Sequence, residues 1–446
     1  MEKKYVGVWA FFENDFKEGL DNAFKRYQEA GITHVMYGGI AHAFDVNDEF
    51  YENTCIDPNI QIDFEANQGD LFGTKTNLIN SDFNEISQLA NKYGLNIELN
   101  LTPGVSDVIV EAYPEIAVVD IDGNRSKHWM CPSNEDVREY FFGRTKDILT
   151  HNKGIREVEL DVVSINVYDP MIVPDWVSPE LSPLTELAAG SCFCDKCVEK
   201  AEKSGVDVDA IKNEIRAINK EATILTYDQF RNMTDTMRGS FDIVRFLMKY
   251  PKLIEWLNFR AKAVDDFVVE INKVIKDINP EIILSSDLVA PSFSWTLGQI
   301  YGNQPEITNI TKLMLYHKRI GAFEAKPLKR VQNAIPEIED KELLDQYYRL
   351  KGFSGPNTFK ELEEEGVDVE NIFYEVKKAK LDVGKEHKVV AGLVGDAPAT
   401  SDDVKEAVKM AHAGGADGYM LHLWYGDAPN ENVVAFGEQL KELGEV

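Results

Sequence analysis

The feature that most narrows the folds open to this chain is a rhythm. A short apolar run is followed by a helical pattern, and the unit recurs along most of the 446 residues. "KYVGVWAFF" reads as a first strand, Tyr5 to Phe11. "NDFKEGLDNAFKRYQEAG" follows it, with Phe16, Leu20, Phe24 and Tyr27 at helical spacing and Gly31 as the stop. "ITHVMYGGI" is the second strand. "DFNEISQLANKYG", with Ser81 as cap, is the helix before the third, "LNIELNLTPG". "SNEDVREYFFGRTKDIL", capped by Ser133, precedes the fourth, "IREVELDVVSI". Residues 166–250 then break the rhythm with an insertion that has its own helices. "PKLIEWLNFRAKAVDDFVVEINKVIKDINP" restores it as a long amphipathic helix. The fifth to eighth strands are "EIILSSD", "ITKLMLYH", "KVVAGLVG" and "ADGYMLHLWYG", with "SDDVKEAVKMAHAGG", capped by Ser401, between the last two.

Eight strands, each followed by helix, point to an α/β chain folded as a (β/α)8 TIM barrel. A doubly wound open sheet would want a glycine-rich phosphate loop after the first strand, and "VWAFFEND" offers none. The expectation is one barrel over 1–446, with 166–250 as an insertion after the fourth strand. A formal net charge of −29 argues against nucleic acid and anionic membrane surfaces as partners and favours neutral or cationic ones. No apolar stretch approaches the roughly 18 residues of a membrane span, and the N-terminus lacks a signal-peptide pattern. A cytoplasmic protein is expected, and a homo-oligomer is compatible with the sequence.

Three of the five cysteines lie in "SCFCDKC": Cys192, Cys194 and Cys197. Closely spaced thiolates on a tight turn can supply several ligands of a tetrahedral zinc site. Cys131, in "HWMCPSNEDVREY", is the candidate fourth, because the loops after the third and fourth barrel strands are neighbours. Four thiolates leave no position for water, so the zinc would be structural and would pin the insertion. A redox pair of Cys194 and Cys197, or free buried thiols, are the alternatives. Cys55 is left over, which does not suit a disulfide framework.

A cysteine in "CPSN", followed in the next loop by "CFCDKC" and a helix, resembles the zinc cluster of glycoside hydrolase family 42, the β-galactosidases. The frame "DGN…CPSNEDVREY", Asp122 to Tyr140, is similar to that of a wider set of glycosidase-like barrels, and the resemblance spans Asp122 to Val206. It implies a barrel with a four-cysteine zinc site beside the active centre, and it carries over for Cys131, Cys192, Cys194 and Cys197. The catalytic pair of that family does not carry over. An Asn-Glu pair is expected after strand four, where this chain reads "VELDVVS". A nucleophilic Glu is expected at strand seven, which reads "VVAGLVGD". Asn84-Glu85 and Asn213-Glu214 lie in helical patterns.

In a barrel the chemistry sits at the C-terminal strand ends. On strand four, Glu159 and Asp161 are two apart and point the same way. Two acids on one face of an apolar strand need a polar barrel mouth, or a partner such as Arg260 for Asp161. Strand five ends at Asp287. Glycoside hydrolysis needs two carboxyl groups, and Asp161 with Asp287 is the candidate catalytic pair, since adjacent strands bring their ends together. Glu98, Glu159, Trp295, His317, Asp396, His422, Trp424 and Tyr425 are candidate substrate-binding residues, because carboxylates, histidines and aromatic faces suit a sugar cleft. Trp9 and Trp176 belong to the same aromatic set, and Phe11 and Tyr37 suit core packing. A glycosidase acting on a carbohydrate or another small polar substrate is therefore expected. A barrel lyase or isomerase using Mg²⁺ or Mn²⁺ on the same carboxylates, and a carbohydrate-binding barrel without catalysis, are the competing readings.

Overall fold

A computed structural model describes residues 4–10, 15, 17–37, 47–60, 83–161, 163–165, 191–222, 224–423 and 428–446. Ten strands are named here in chain order: β1 Tyr5–Ala10, β2 His34–Tyr37, β3 Asn96–Leu101, β4 Ala117–Val119, β5 Arg125–Met130, β6 Glu157–Asp161, β7 Ile283–Val289, β8 Ile310–Met314, β9 Lys388–Val394 and β10 Gly418–His422. Eight of them close a parallel barrel in the order β1-β10-β9-β8-β7-β6-β3-β2, with helices between strands as the rhythm requires. The chain is a (β/α)8 barrel. β4 and β5 form a separate antiparallel hairpin that the rhythm did not show. β4 is only three residues long, and β5, "RSKHWM", mixes charges into its alternation.

Two helix caps differ from expectation. Asn134, not Ser133, opens the helix Glu135–His151, because its side-chain oxygen accepts from the amides of Asp136 and Val137. Thr400, not Ser401, opens Ser401–Gly414 and forms a reciprocal capping box with Asp403. The Ser81 cap lies outside the described residues. The helix Pro251–Ile278 starts on proline and buries Leu253, Trp256, Arg260, Val264, Phe267, Ile271 and Ile275, one stripe at helical spacing. It packs on Glu135–His151 and on the helix Val208–Ala222. Among the described residues no helix is long and apolar enough to cross a membrane.

The main core lies between the strands and the helices, and a second one fills the barrel. The lumen holds Tyr5, Trp9, Met36, Ile310, Tyr316, Val390, Val394 and Met420. Gly392 makes room for the indole of Trp9: a Cβ there would stand 2.6 Å from the ring. Charge enters this core from β6 and β8. Lys312 is fully buried and reaches Glu157 at 2.7 Å and Glu159 at 2.6 Å. Tyr5 and Ser285 also donate to Glu157, and Trp9 and Asn100 donate to Glu159. Burial opposes the ammonium, but the two glutamates outweigh it and hold Lys312 above its ordinary pKa. Burial likewise opposes the Glu157 carboxylate, and Lys312 reverses the effect.

Replacing Lys312 with Met would leave two buried carboxylates without their cation. The expected cost is about 3–5 kcal/mol, read as a lower urea midpoint with an unchanged dependence on denaturant.

Candidate functional site

The C-terminal end of the lumen brings Asp161 and Asp287 together. They are register partners on β6 and β7, strands that lie about 4.8 Å apart, and both are buried. Asp161 ends β6, whereas β7 runs two residues past Asp287 to Val289, beyond the end expected from the sequence. Thr102, just after β3, donates toward Asp161 Oδ2 at 3.3 Å and toward Asn100 Oδ1 at 3.2 Å. Asp287 Oδ1 is buried with no hydrogen-bond partner among the described residues. Burial, and then the charges of Glu159 and Asp161, push the Asp287 carboxyl well above the usual range, and Lys312 compensates only in part. Five carboxyl groups, Glu98, Glu157, Glu159, Asp161 and Asp287, thus share a lumen whose one described lysine is Lys312. Of these, Asp287 is the one at the mouth whose surroundings favour the protonated form.

Opposite this pair stands an aromatic and imidazole wall. His422 at the end of β10 is level with Trp9 in β1. Its ring centre is 4.6 Å from that of Tyr316 and 6.2 Å from that of Trp9. His422 Nδ1 meets Asp396 Oδ2 at 2.6 Å, both groups being buried. Burial holds the imidazole below its ordinary pKa, although Asp396 favours the cation. The dyad therefore fixes a neutral ring with its Nδ1 proton on Asp396.

The other expected residues are spread more widely. Glu159 lies in the lumen but is held by Lys312, Trp9 and Asn100. Glu98 sits deeper, with burial and Glu157 raising its pKa, and its nearest imidazole is His34. His317 is buried in the first turn of the helix His317–Ala334, where desolvation lowers it to about 4. Its charged neighbours there are Lys318 and Asp403, on the rim. Trp295 lies in the turn after β7, its indole bonded to the Ser292 carbonyl. Trp9 is 1% exposed, which suits ordering Glu159 rather than offering a face to a sugar. Tyr37 is core, its hydroxyl bonded to Asp15. Trp424, Tyr425, Trp176 and Phe11 lie outside the described residues. Sequence reasoning missed Lys312, Asn100, Thr102 and Tyr316. A lysine inside the apolar strand "ITKLM" was the signal available for the first.

Beside the mouth the four thiols converge. Cys131 follows β5, Cys192 and Cys194 lead into the helix Asp195–Lys203, and Cys197 lies in its first turn. Cys131 Sγ lies 3.4 Å from Cys197, 3.7 Å from Cys194 and 3.8 Å from Cys192. A tetrahedron with metal–sulfur arms of about 2.3 Å has edges of about 3.8 Å, so this donor set fits a metal ion. All four are buried and none is in a disulfide. The amides of Val119 and Cys194 point at Cys192 Sγ, where such N–H groups hold and stabilise a thiolate ligand.

Hydrogen bonds also tie the segment beside this cluster to the turn after β7. Arg260, weighed above as a partner for Asp161, donates to Ser191 Oγ, next to Cys192, and to the carbonyl of Thr296 in the turn after β7. Three residues on, the buried Gln299 accepts from Val289 N at 3.1 Å and donates to Val163 O at 3.4 Å. One side chain thus ties the last residue of β7 to the segment just after β6.

No family model and no curated protein matches the sequence. Solved structures share its fold. A β-galactosidase from the psychrophilic Marinomonas ef1 aligns with a TM-score of 0.54 at 11% identity, covering 99% of this chain and 60% of that one. The polyextremophilic β-galactosidase of the Antarctic haloarchaeon Halorubrum lacusprofundi aligns at 0.54 and 13%, covering 99% and 58%. A GH42 β-galactosidase from G. stearothermophilus aligns at 0.53 and 11%, covering 99% and 57%. The chain thus spans about six-tenths of the length of these enzymes, and at such identity the likeness is one of fold.

Replacing Gln299 with Leu would strand the Val289 amide and the Val163 carbonyl. A loss of about 1–3 kcal/mol is expected, with faster amide exchange at Val289 as its local signature.

Proposed function

We propose that this chain is a glycosidase-type hydrolase acting on a carbohydrate at the C-terminal mouth of its barrel. The observation that carries the reading is the register pairing of Asp161 with a buried Asp287 whose Oδ1 has no hydrogen-bond partner among the described residues and whose carboxyl is pushed above the usual range. Glycoside hydrolysis needs one carboxyl that gives a proton and one that is ionised, and environments that push two neighbouring carboxyls apart supply that pair. Asp287 gives its proton to the glycosidic oxygen as the bond to the anomeric carbon breaks. Asp161 meets the developing positive charge on that carbon and forms the glycosyl ester. Asp287, now a carboxylate, takes a proton from the water that releases the sugar. Placement on adjacent strands suits the shorter carboxyl spacing, about 5–5.5 Å, that goes with retention. His422, oriented by Asp396, and Thr102 line the same mouth and contact sugar hydroxyls. The fold shared with β-galactosidases is supporting analogy only.

The four-thiolate set is assigned zinc, since a buried tetrahedral sulfur site suits zinc and leaves no position for a reacting water. It holds the insertion against the β4–β5 hairpin. Free thiols throughout suit a reducing, cytoplasmic setting.

Asp287→Asn and Asp161→Asn are each expected to lower kcat on aryl glycosides by roughly 10²–10⁴-fold. Wild-type turnover in both variants would overturn the assignment. The first variant has a second signature. A carboxyl whose folded pKa is raised contributes stability below its unfolded pKa and loses it as pH climbs through the folded value. Asp287→Asn should therefore be more stable than the wild type at neutral pH, with the gain vanishing toward pH 4 or so, as thermal melts across pH would show.

Cys194→Ser is expected to remove about one zinc per chain by elemental analysis and to lower the unfolding midpoint. Full zinc content in that variant would place the metal elsewhere.

A further inference from the structure

The opposite end of the barrel holds a cluster that the mouth does not use. His34 opens β2, Glu157 opens β6, and Glu98 lies within β3. One ligand atom from each comes within 4.8 Å of the others. We propose that His34, Glu98 and Glu157 form a second metal site, taking a divalent first-row transition ion through one imidazole nitrogen and two carboxylates, with water completing the shell.

Three features aim these groups at a cation. The Thr33 hydroxyl donates to the Val6 carbonyl at 3.0 Å, so the proton in its 2.7 Å contact with His34 Nδ1 belongs to the imidazole. Nε2 is then left with its lone pair, 3.9 Å from Glu98 Oε1. This is the arrangement of a metal-binding histidine whose second nitrogen is anchored. Glu98 Oε2 is buried with no hydrogen-bond partner among the described residues, on a side chain 1% exposed. Such an atom calls for a proton or a cation. On Glu157, Lys312 and Ser285 take Oε1, while Oε2 receives one hydrogen bond, from Tyr5. That leaves a lone pair beside His34.

The ring of Tyr5 stacks on His34 at 4.0 Å and 14°, which fixes the imidazole plane. The His34 side chain is 21% exposed, so an ion has access from the N-terminal end. One nitrogen with two carboxylates suits Mn²⁺, Fe²⁺ or Zn²⁺ better than Ca²⁺, which wants six or more oxygens. The site differs in ligands and in position from the thiolate cluster. It also stands apart from Asp161 and Asp287, so it does not depend on the hydrolase reading.

Mn²⁺ is the probe, because it competes poorly for thiolates. Paramagnetic-resonance titration of the full chain with MnCl₂ at physiological ionic strength should find one site per chain. Glu98→Gln should weaken it at least tenfold. Thr33→Val, which touches no ligand atom of the metal directly, should weaken it by about 10–100-fold while the far-ultraviolet dichroism stays unchanged. Absence of binding in the wild type, binding lost to added salt as for a diffuse acidic surface, or wild-type affinity in Glu98→Gln or in Thr33→Val would each overturn the proposal.

Discussion

A single buried lysine makes this barrel possible. Glu157 and Glu159 leave β6 on the lumen face, and neither could stay ionised there alone, since an uncompensated buried charge costs several kcal/mol. Lys312, two strands away, bridges both and offsets one of the two charges. Its own stem fills space among Tyr5, Ile310 and Val390, so charge and packing are satisfied by one residue. With that pair settled, the rest of the acidity in the lumen divides by height. Asp161 and Asp287 remain at the mouth and Glu98 at the floor, each facing a different problem of balance.

On the readings proposed above, that division lets one end of the lumen support proton transfer and the other a cation. At the mouth, two carboxyls in register repel each other, and the cheaper outcome is for one to keep its proton. At the floor, the imidazole of His34 faces the carboxylates in place of a second aspartate, and its Nε2 lone pair stands ready as a ligand. The same excess of acid thus gives two different sites because the neighbours differ.

Most of the fold was legible because each barrel strand is an apolar run set apart by a helix of the right length. The site was legible only in part. Asp161 and Asp287 could be paired from strand adjacency alone. Lys312 could not, since its partners lie two strands away and a lysine in "ITKLM" looks like an edge residue until the barrel closes. Gln299 and Arg260 act through backbone groups of loops, which no side-chain pattern encodes. The two misplaced caps have a smaller cause: adjacent Ser-Asn and Thr-Ser residues are both good caps, and which one serves depends on how the chain enters the helix.

The thiol cluster has a consequence for the order in which the chain folds. Cys131 and Cys192 are 61 residues apart, and β6 lies between them. Gathering the four sulfurs from an unstructured chain would cost loop-closure entropy that grows with that separation. Pairing of β6 with β3 removes most of the cost in advance. On the proposed zinc assignment, the ion would then be captured only once β6 is in place, since a chain that misplaced β6 would present three sulfurs without their fourth.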